Sequence, residues 1–213
     1  MKKFLTPVIF VLLYMPIQVM AQYHKGDVEM GIGGGSLSST AVTLAINAAL
    51  GGEKEPLEYS SGSGTLFLSG KYFLKERLAL GITLGTEKLS GYSNMDWTIA
   101  SSNTPFTYTI HKQTIATELT MIYSNNRNVR LYGLIGLGFS QFIVNYQFSG
   151  LPDINDKWLI PAGNIAAQVT PIGIRVGNTF GLFLEFGYGY RGMVNMGLSY
   201  QFKRKRKLVN GEL

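Results

Sequence analysis

The sequence predicts an all-β protein: an eight-stranded antiparallel up-and-down transmembrane β-barrel with short periplasmic turns and longer extracellular loops. Three observations point there. Large apolar residues recur at every second position through eight segments. The positions between them are small or polar, and they hold the charges that fall inside those segments. The chain of 213 residues contains 26 Gly, 12 Tyr and 12 Phe, yet only 15% of it is charged, against roughly 25% in a soluble domain. An amphipathic helical bundle would be rich in Ala, Leu, Glu and Lys and poor in glycine.

Composition also removes chemistry. There is no cysteine, so disulfide scaffolds, thiol catalysis and thiolate metal sites are excluded. The two histidines, His24 and His111, are too few for a multi-histidine metal centre, and no metal or cofactor is expected. The net charge of +6 is local in origin. Of 19 basic residues, two (Lys2, Lys3) open the chain and five form one run, Lys203 to Lys207, leaving 12 basic against 13 acidic. A nearly neutral, aromatic, glycine-rich body is not a nucleic-acid binder.

The first 21 residues read as a secretory leader: a basic start, an apolar stretch from Phe4 to Val19, and Val19-Met20-Ala21 before cleavage at Gln22. The expected organisation is 1–21 signal peptide, 22–202 barrel and 203–213 basic periplasmic tail, with the protein in the cell outer membrane. Leu131 to Leu151 is uncharged and long enough to span as a helix. Its four glycines and its Ser140, Gln141, Asn145 and Gln147 argue for strand instead.

The strands are expected near 27–36, 61–73, 78–88, 107–122, 129–146, 163–176, 180–190 and 194–203. In the last, Val194, Met196, Leu198, Tyr200 and Phe202 alternate with Asn195, Gly197, Ser199 and Gln201. The seventh alternates Phe180, Leu182, Leu184, Phe186, Tyr188 and Tyr190 with Gly181, Phe183, Glu185, Gly187 and Gly189. The third alternates Leu78, Leu80, Ile82 and Leu84 with Ala79, Gly81, Thr83 and Gly85. Val129, Leu131, Ile135, Leu137 and Phe139 share one parity of the fifth. The parity of the sixth is ambiguous near Pro171, where a bulge is expected. Turn chemistry at Asn125-Asn126 and Gly177-Asn178 suits short connections.

Which face is wet decides the class. A soluble barrel puts large side chains inside and charges outside; a membrane barrel does the reverse. Glu29, Lys71, Glu118, Arg130, Arg175 and Glu185 all fall on the small face, three of each sign. Glu87 and Lys112 join them nearer the outer ends, and Lys88 is the exception on the apolar parity. A basic residue facing lipid at mid-depth costs roughly 2–4 kcal/mol, so these groups are expected to pair across a lumen they plug. Two aromatic girdles follow: Tyr72, Tyr123, Phe180, Tyr200 and Phe202 on the periplasmic side, and Tyr146, Tyr188 and Tyr190 outside.

This pattern, with Met196 to Phe202 (MGLSYQF) and Phe186 to Tyr190 (FGYGY), resembles the small eight-stranded outer-membrane β-barrel family. Its members include the outer membrane protein X and outer membrane protein A membrane-domain types. The resemblance covers 26–202. It implies a last strand read by the barrel-assembly machinery, with Tyr188, Tyr190, Tyr200 and Phe202 as insertion signal and girdle. It also implies contact with outer-membrane lipid and lipopolysaccharide, and a monomer acting through its extracellular loops. One departure is that eleven residues follow Phe202. The resemblance brings no enzymatic activity with it.

Two other functions stay open. A lipid-modifying enzyme would use His111 with Ser101, Ser102 and Asp96, although alternation aims Lys112, not His111, at the lumen. A narrow passive pore is the other. Gly31 to Gly35 lacks the strand–helix context and lysine of a nucleotide loop and is expected to make room under lumen side chains. Residues 40–50 are Ala-rich and expected as a short helix over the barrel mouth. Trp97 and Trp158 are expected to anchor loops among lipid headgroups.

Overall fold

In the computed structural model, residues 24–40, 42, 58–93, 106–126, 128–148 and 157–204 are described. They form eight strands: β1 (Val28–Ser36), β2 (Glu58–Lys75), β3 (Leu78–Ser93), β4 (Phe106–Asn125), β5 (Val129–Phe148), β6 (Lys157–Val176), β7 (Phe180–Gly189) and β8 (Val194–Phe202). Each pairs antiparallel with its sequence neighbour, and β1 also pairs with β8, so the ring is closed. Closure leaves no sheet edge within the ring, and every strand bonds to two others.

The register fixes the shape. Stepping through cross-strand partners from Gln141 leads to Gln113, Thr86, Leu66, Gly34, Met196, Leu184 and Ile174. The last step lands on Leu131, ten residues down β5 from the start. An offset of ten over eight strands tilts the strands by about 41° at ordinary strand rise and spacing. Each residue then adds about 2.5 Å of height. The short turns lie at one end, called lower here, and the β7–β8 turn at the upper end.

The faces are inverted relative to a soluble protein. Ile32, Leu66, Leu84, Phe139, Leu182 and Leu198 are more than half exposed on the outside. Arg130, Glu118 and Glu185, each 1% exposed, point inward. The inner wall stays thin where large side chains cross it: a Cβ on Gly33 or Gly197 would collide with the Phe183 ring. Gly31 to Gly35 therefore accommodates Phe67 and Phe183, whose rings lie 6.1 Å apart inside the barrel.

β6 resolves its ambiguous parity with a bulge. Gln168 and Thr170 point inward, Pro171 and Ile172 both face out, and Gly173 and Arg175 point inward again. The register shifts at this point against both β5 and β7. Proline has no N–H to give the ladder, so a bulge is where a strand can hold it.

The strand ends agree with expectation below and differ above. β2 begins at Glu58, β3 continues to Ser93 and β6 begins at Lys157, all beyond the expected limits. Above the apolar belt the outward residues turn polar while Leu89, Tyr108 and Val144 stay buried on the inner face, so the apolar-outward pattern fades while the hydrogen-bonded ladder continues. β2 to β6 have 16 to 20 residues, whereas β1, β7 and β8 have 9 or 10. The long strands form a five-stranded extension above the closed ring.

Candidate functional site

Inward-pointing charges meet in three tiers. In the lowest, Arg130 Nη1 lies 3.4 Å and Arg175 Nε 3.1 Å from Glu29 Oε2. Arg130 Nη2 donates to Gln201 Oε1 at 3.2 Å, and Gln201 Nε2 donates to Asp27 Oδ2 at 3.1 Å. Arg175 also donates to the carbonyls of Gly177, Asn178 and Thr179, holding the β6–β7 turn closed. The Lys71 ammonium sits 4.8 Å from the centre of the Tyr132 ring. Beside this tier Phe73, Ala79, Ile122 and Tyr132 form a buried apolar cluster.

The middle tier centres on Arg191, which strand alternation did not reveal. Its Nη1 lies 2.9 Å from Glu185 Oε2, and its Nη2 bonds Glu118 Oε2 and Thr83 Oγ1. The guanidinium also stacks 4.4 Å from the Phe67 ring centre. Glu185 accepts a further bond from the Tyr132 hydroxyl at 2.8 Å. Gln168 Oε1 accepts the Arg191 backbone N–H at 2.9 Å.

Arg191 enters from the β7–β8 turn because of its glycine neighbours. Gly189 has φ +147 and Gly192 φ +114, values that strain any residue with a Cβ. The kink breaks alternation, so Gly189, Tyr190 and Arg191 are all turned inward. The expectation for Tyr190 is corrected here. It is no outer girdle residue: it is 1% exposed, and its hydroxyl donates to Glu118 Oε1 at 2.6 Å. Its ring crosses Gly136, where a Cβ would strike the Tyr190 hydroxyl. The local clue was the Gly-Tyr-Arg-Gly sequence at 189–192, whose glycines permit the backbone reversal.

At the top, Lys112 Nζ lies 3.4 Å from Glu87 Oε2 and donates to Thr40 Oγ1 at 2.8 Å. Thr40 lies in the helical turn described at 39, 40 and 42, so this point of the chain touches the barrel mouth; the rest of the helix expected over 40–50 lies outside the described residues. Among the described residues, the buried charges are Asp27, Glu29, Glu87, Glu118 and Glu185 against Lys71, Lys112, Arg130, Arg175 and Arg191. The interior is formally neutral, as dense burial of charge demands.

The other expected residues are dispersed over the outer wall. Tyr72, Tyr123, Phe180 and Phe202 are exposed at the lower rim and Tyr188 at the upper. Tyr200 packs edge-on against Phe180 and Phe202, with ring centroids 4.7 and 4.6 Å apart. His111 lies opposite Lys88 in the β3–β4 ladder, on the outward parity, while Lys112 turns in. The leader, Trp97, Asp96, Ser101, Ser102, the tail from residue 205 and the side chains of Tyr146 and Trp158 lie outside the described residues.

No family model and no curated protein matches the chain. Among solved structures, it is similar to the N-terminal β-barrel domain of Pseudomonas aeruginosa OprF. The identity is 13% and the TM-score 0.45, over 84% of this chain and 100% of that one. The closed ring of eight antiparallel strands, apolar outside and charged within, has the architecture of the small outer-membrane β-barrels.

Proposed function

We propose that this chain is an integral outer-membrane barrel protein whose lumen is plugged and whose working surface is its extension outside the membrane. One observation carries the reading: large apolar side chains cover the outside while five buried charges of each sign fill the inside. Eight strands leave an interior that side chains can fill, and the three tiers of ion pairs support a plugged lumen. The upper end faces the exterior, and the short turns and tail face the periplasm. The outer face of the belt contacts lipid and lipopolysaccharide, and the last strand, ending at Phe202, is the segment presented to the barrel-assembly machinery. The five-stranded extension offers the surface for an external partner, and no catalytic role is assigned to His111.

Two measurements test this. Outer-membrane fractions run unboiled and boiled should show a heat-dependent mobility shift, because a closed hydrogen-bonded ring resists detergent until heated. Protein found in the soluble periplasmic pool without a shift would overturn the reading. In planar bilayers the purified barrel should give no discrete conductance steps; regular steps would make it a pore.

A further inference from the structure

The outer wall is not uniform. A furrow of about 800 Å³ runs over β1 to β5, floored by Leu66, Leu68, Leu84, Ile115 and Phe139. It continues downward into a second depression of about 540 Å³ that shares Leu68 and Leu84. At its upper end the outward row changes character abruptly. Thr86, Gln113 and Gln141 are cross-strand neighbours, all exposed. Immediately above stand Lys88 and His111, also cross-strand partners on the outward parity.

The sorting of charge here is specific. Glu87 and Lys112, one residue over, turn inward and pair with each other. Lys88 is left facing out, and no carboxylate among the described residues forms a salt bridge with it. Allowing for the strand tilt, Lys88, His111 and Gln141 stand at one height. Around the rest of the ring the outward residues nearest that height are apolar: Ile165 on β6, Leu37 after β1 and Met193 before β8. A cation and four hydrogen-bonding side chains, those of Thr86, Gln113, Gln141 and His111, thus crown the apolar furrow on this side of the barrel.

We propose that this flank seats one phosphorylated glycolipid of the outer leaflet. Its acyl chains lie along Leu66, Leu84, Ile115 and Phe139, and its phosphate meets Lys88. Its hydroxyl and amide groups meet Gln113 and Gln141. The proposal rests on the outer-membrane reading above and names the lipid that the barrel holds. An ammonium at the membrane surface attracts a phosphate, and amide groups at the edge of the belt exchange hydrogen bonds with a sugar.

Detergent-purified full-length protein is titrated with bis-phosphorylated lipid A and with its dephosphorylated form, and bound lipid is counted by native mass spectrometry. The expected result is one lipid A per barrel and binding at least about tenfold weaker for the dephosphorylated form. Lys88→Gln should erase most of that preference. The triple variant Lys88→Gln, Gln113→Leu, Gln141→Leu should lose the bound lipid while keeping its heat-dependent gel shift. Equal binding of both forms, or undiminished lipid on a triple variant that still shifts, overturns the site and leaves the barrel reading standing. A wild-type protein with no heat shift overturns the barrel reading, and the site with it.

Discussion

The barrel has two unequal flanks. β7, β8 and β1 have 9 or 10 residues each and rise about 22–25 Å at their tilt, close to the roughly 25 Å apolar band of a membrane barrel. β4, β5 and β6 have 20 residues each, about twice what the band requires. On the short flank, nearly every outward side chain from Phe180 to Met193 is apolar and the strands end where the belt ends. On the long flank the belt stops at Leu84, Ile115 and Phe139, and polar positions begin. Membrane thickness sets the length of a strand that only crosses, and the excess on the other flank extends beyond what crossing requires.

Arg191 joins the two flanks, so its loss is expected to have the largest effect. It rises from the short flank's turn, pairs with Glu185 on β7, and reaches Glu118 on β4 and Thr83 on β3. Arg191→Met would leave two carboxylates buried without their cation, at a cost of about 3–5 kcal/mol. Urea unfolding in lipid vesicles should report this, and adding Glu118→Gln with Glu185→Gln should recover part of the loss. A near-neutral single variant would mean that the flanks are held together by the ladder alone.

Belt position comes next. Leu198→Arg, at a lipid-facing site of the short flank, should cost about 2–4 kcal/mol in the same assay. Thr107→Arg, exposed on the extension of β4, should stay within about 0.5 kcal/mol. Equal penalties would place β4's upper half in lipid and remove the distinction between flanks.

Two smaller effects sharpen it. Tyr200→Ala removes the ring between Phe180 and Phe202 and should cost about 0.5–1.5 kcal/mol beyond lost area, again by urea titration. Excising residues 91–108 and closing the hairpin on the Ser90–Thr109 pair should leave the heat-dependent shift in place. Loss of the shift would make the extension part of the ring's stability instead of an appendage.

Much of this was legible in the sequence because alternation is a property of the strand backbone itself. The eight strands, their order and the inward parity of Glu29, Lys71, Glu118, Arg130, Arg175 and Glu185 all follow from period two. The upper strand ends were less legible, since outward residues there, from Thr86, Gln113 and Gln141 upward, are no longer apolar. Tyr190 was misplaced, and Arg191 went unnoticed, for a different reason. Two glycines with positive φ let the chain turn inward at the one place where parity is suspended.

Sequence alone thus determined which residues face lipid and which face the lumen, since that choice is made one residue at a time by the pleat. Tertiary structure decided which charges meet. Arg191 and Thr83 lie 108 positions apart, and they touch because a ten-residue offset around eight strands brings that turn over the middle of β3 and β4. Pairing across a closed ring depends on the sum of every register in it. No local pattern contains that sum.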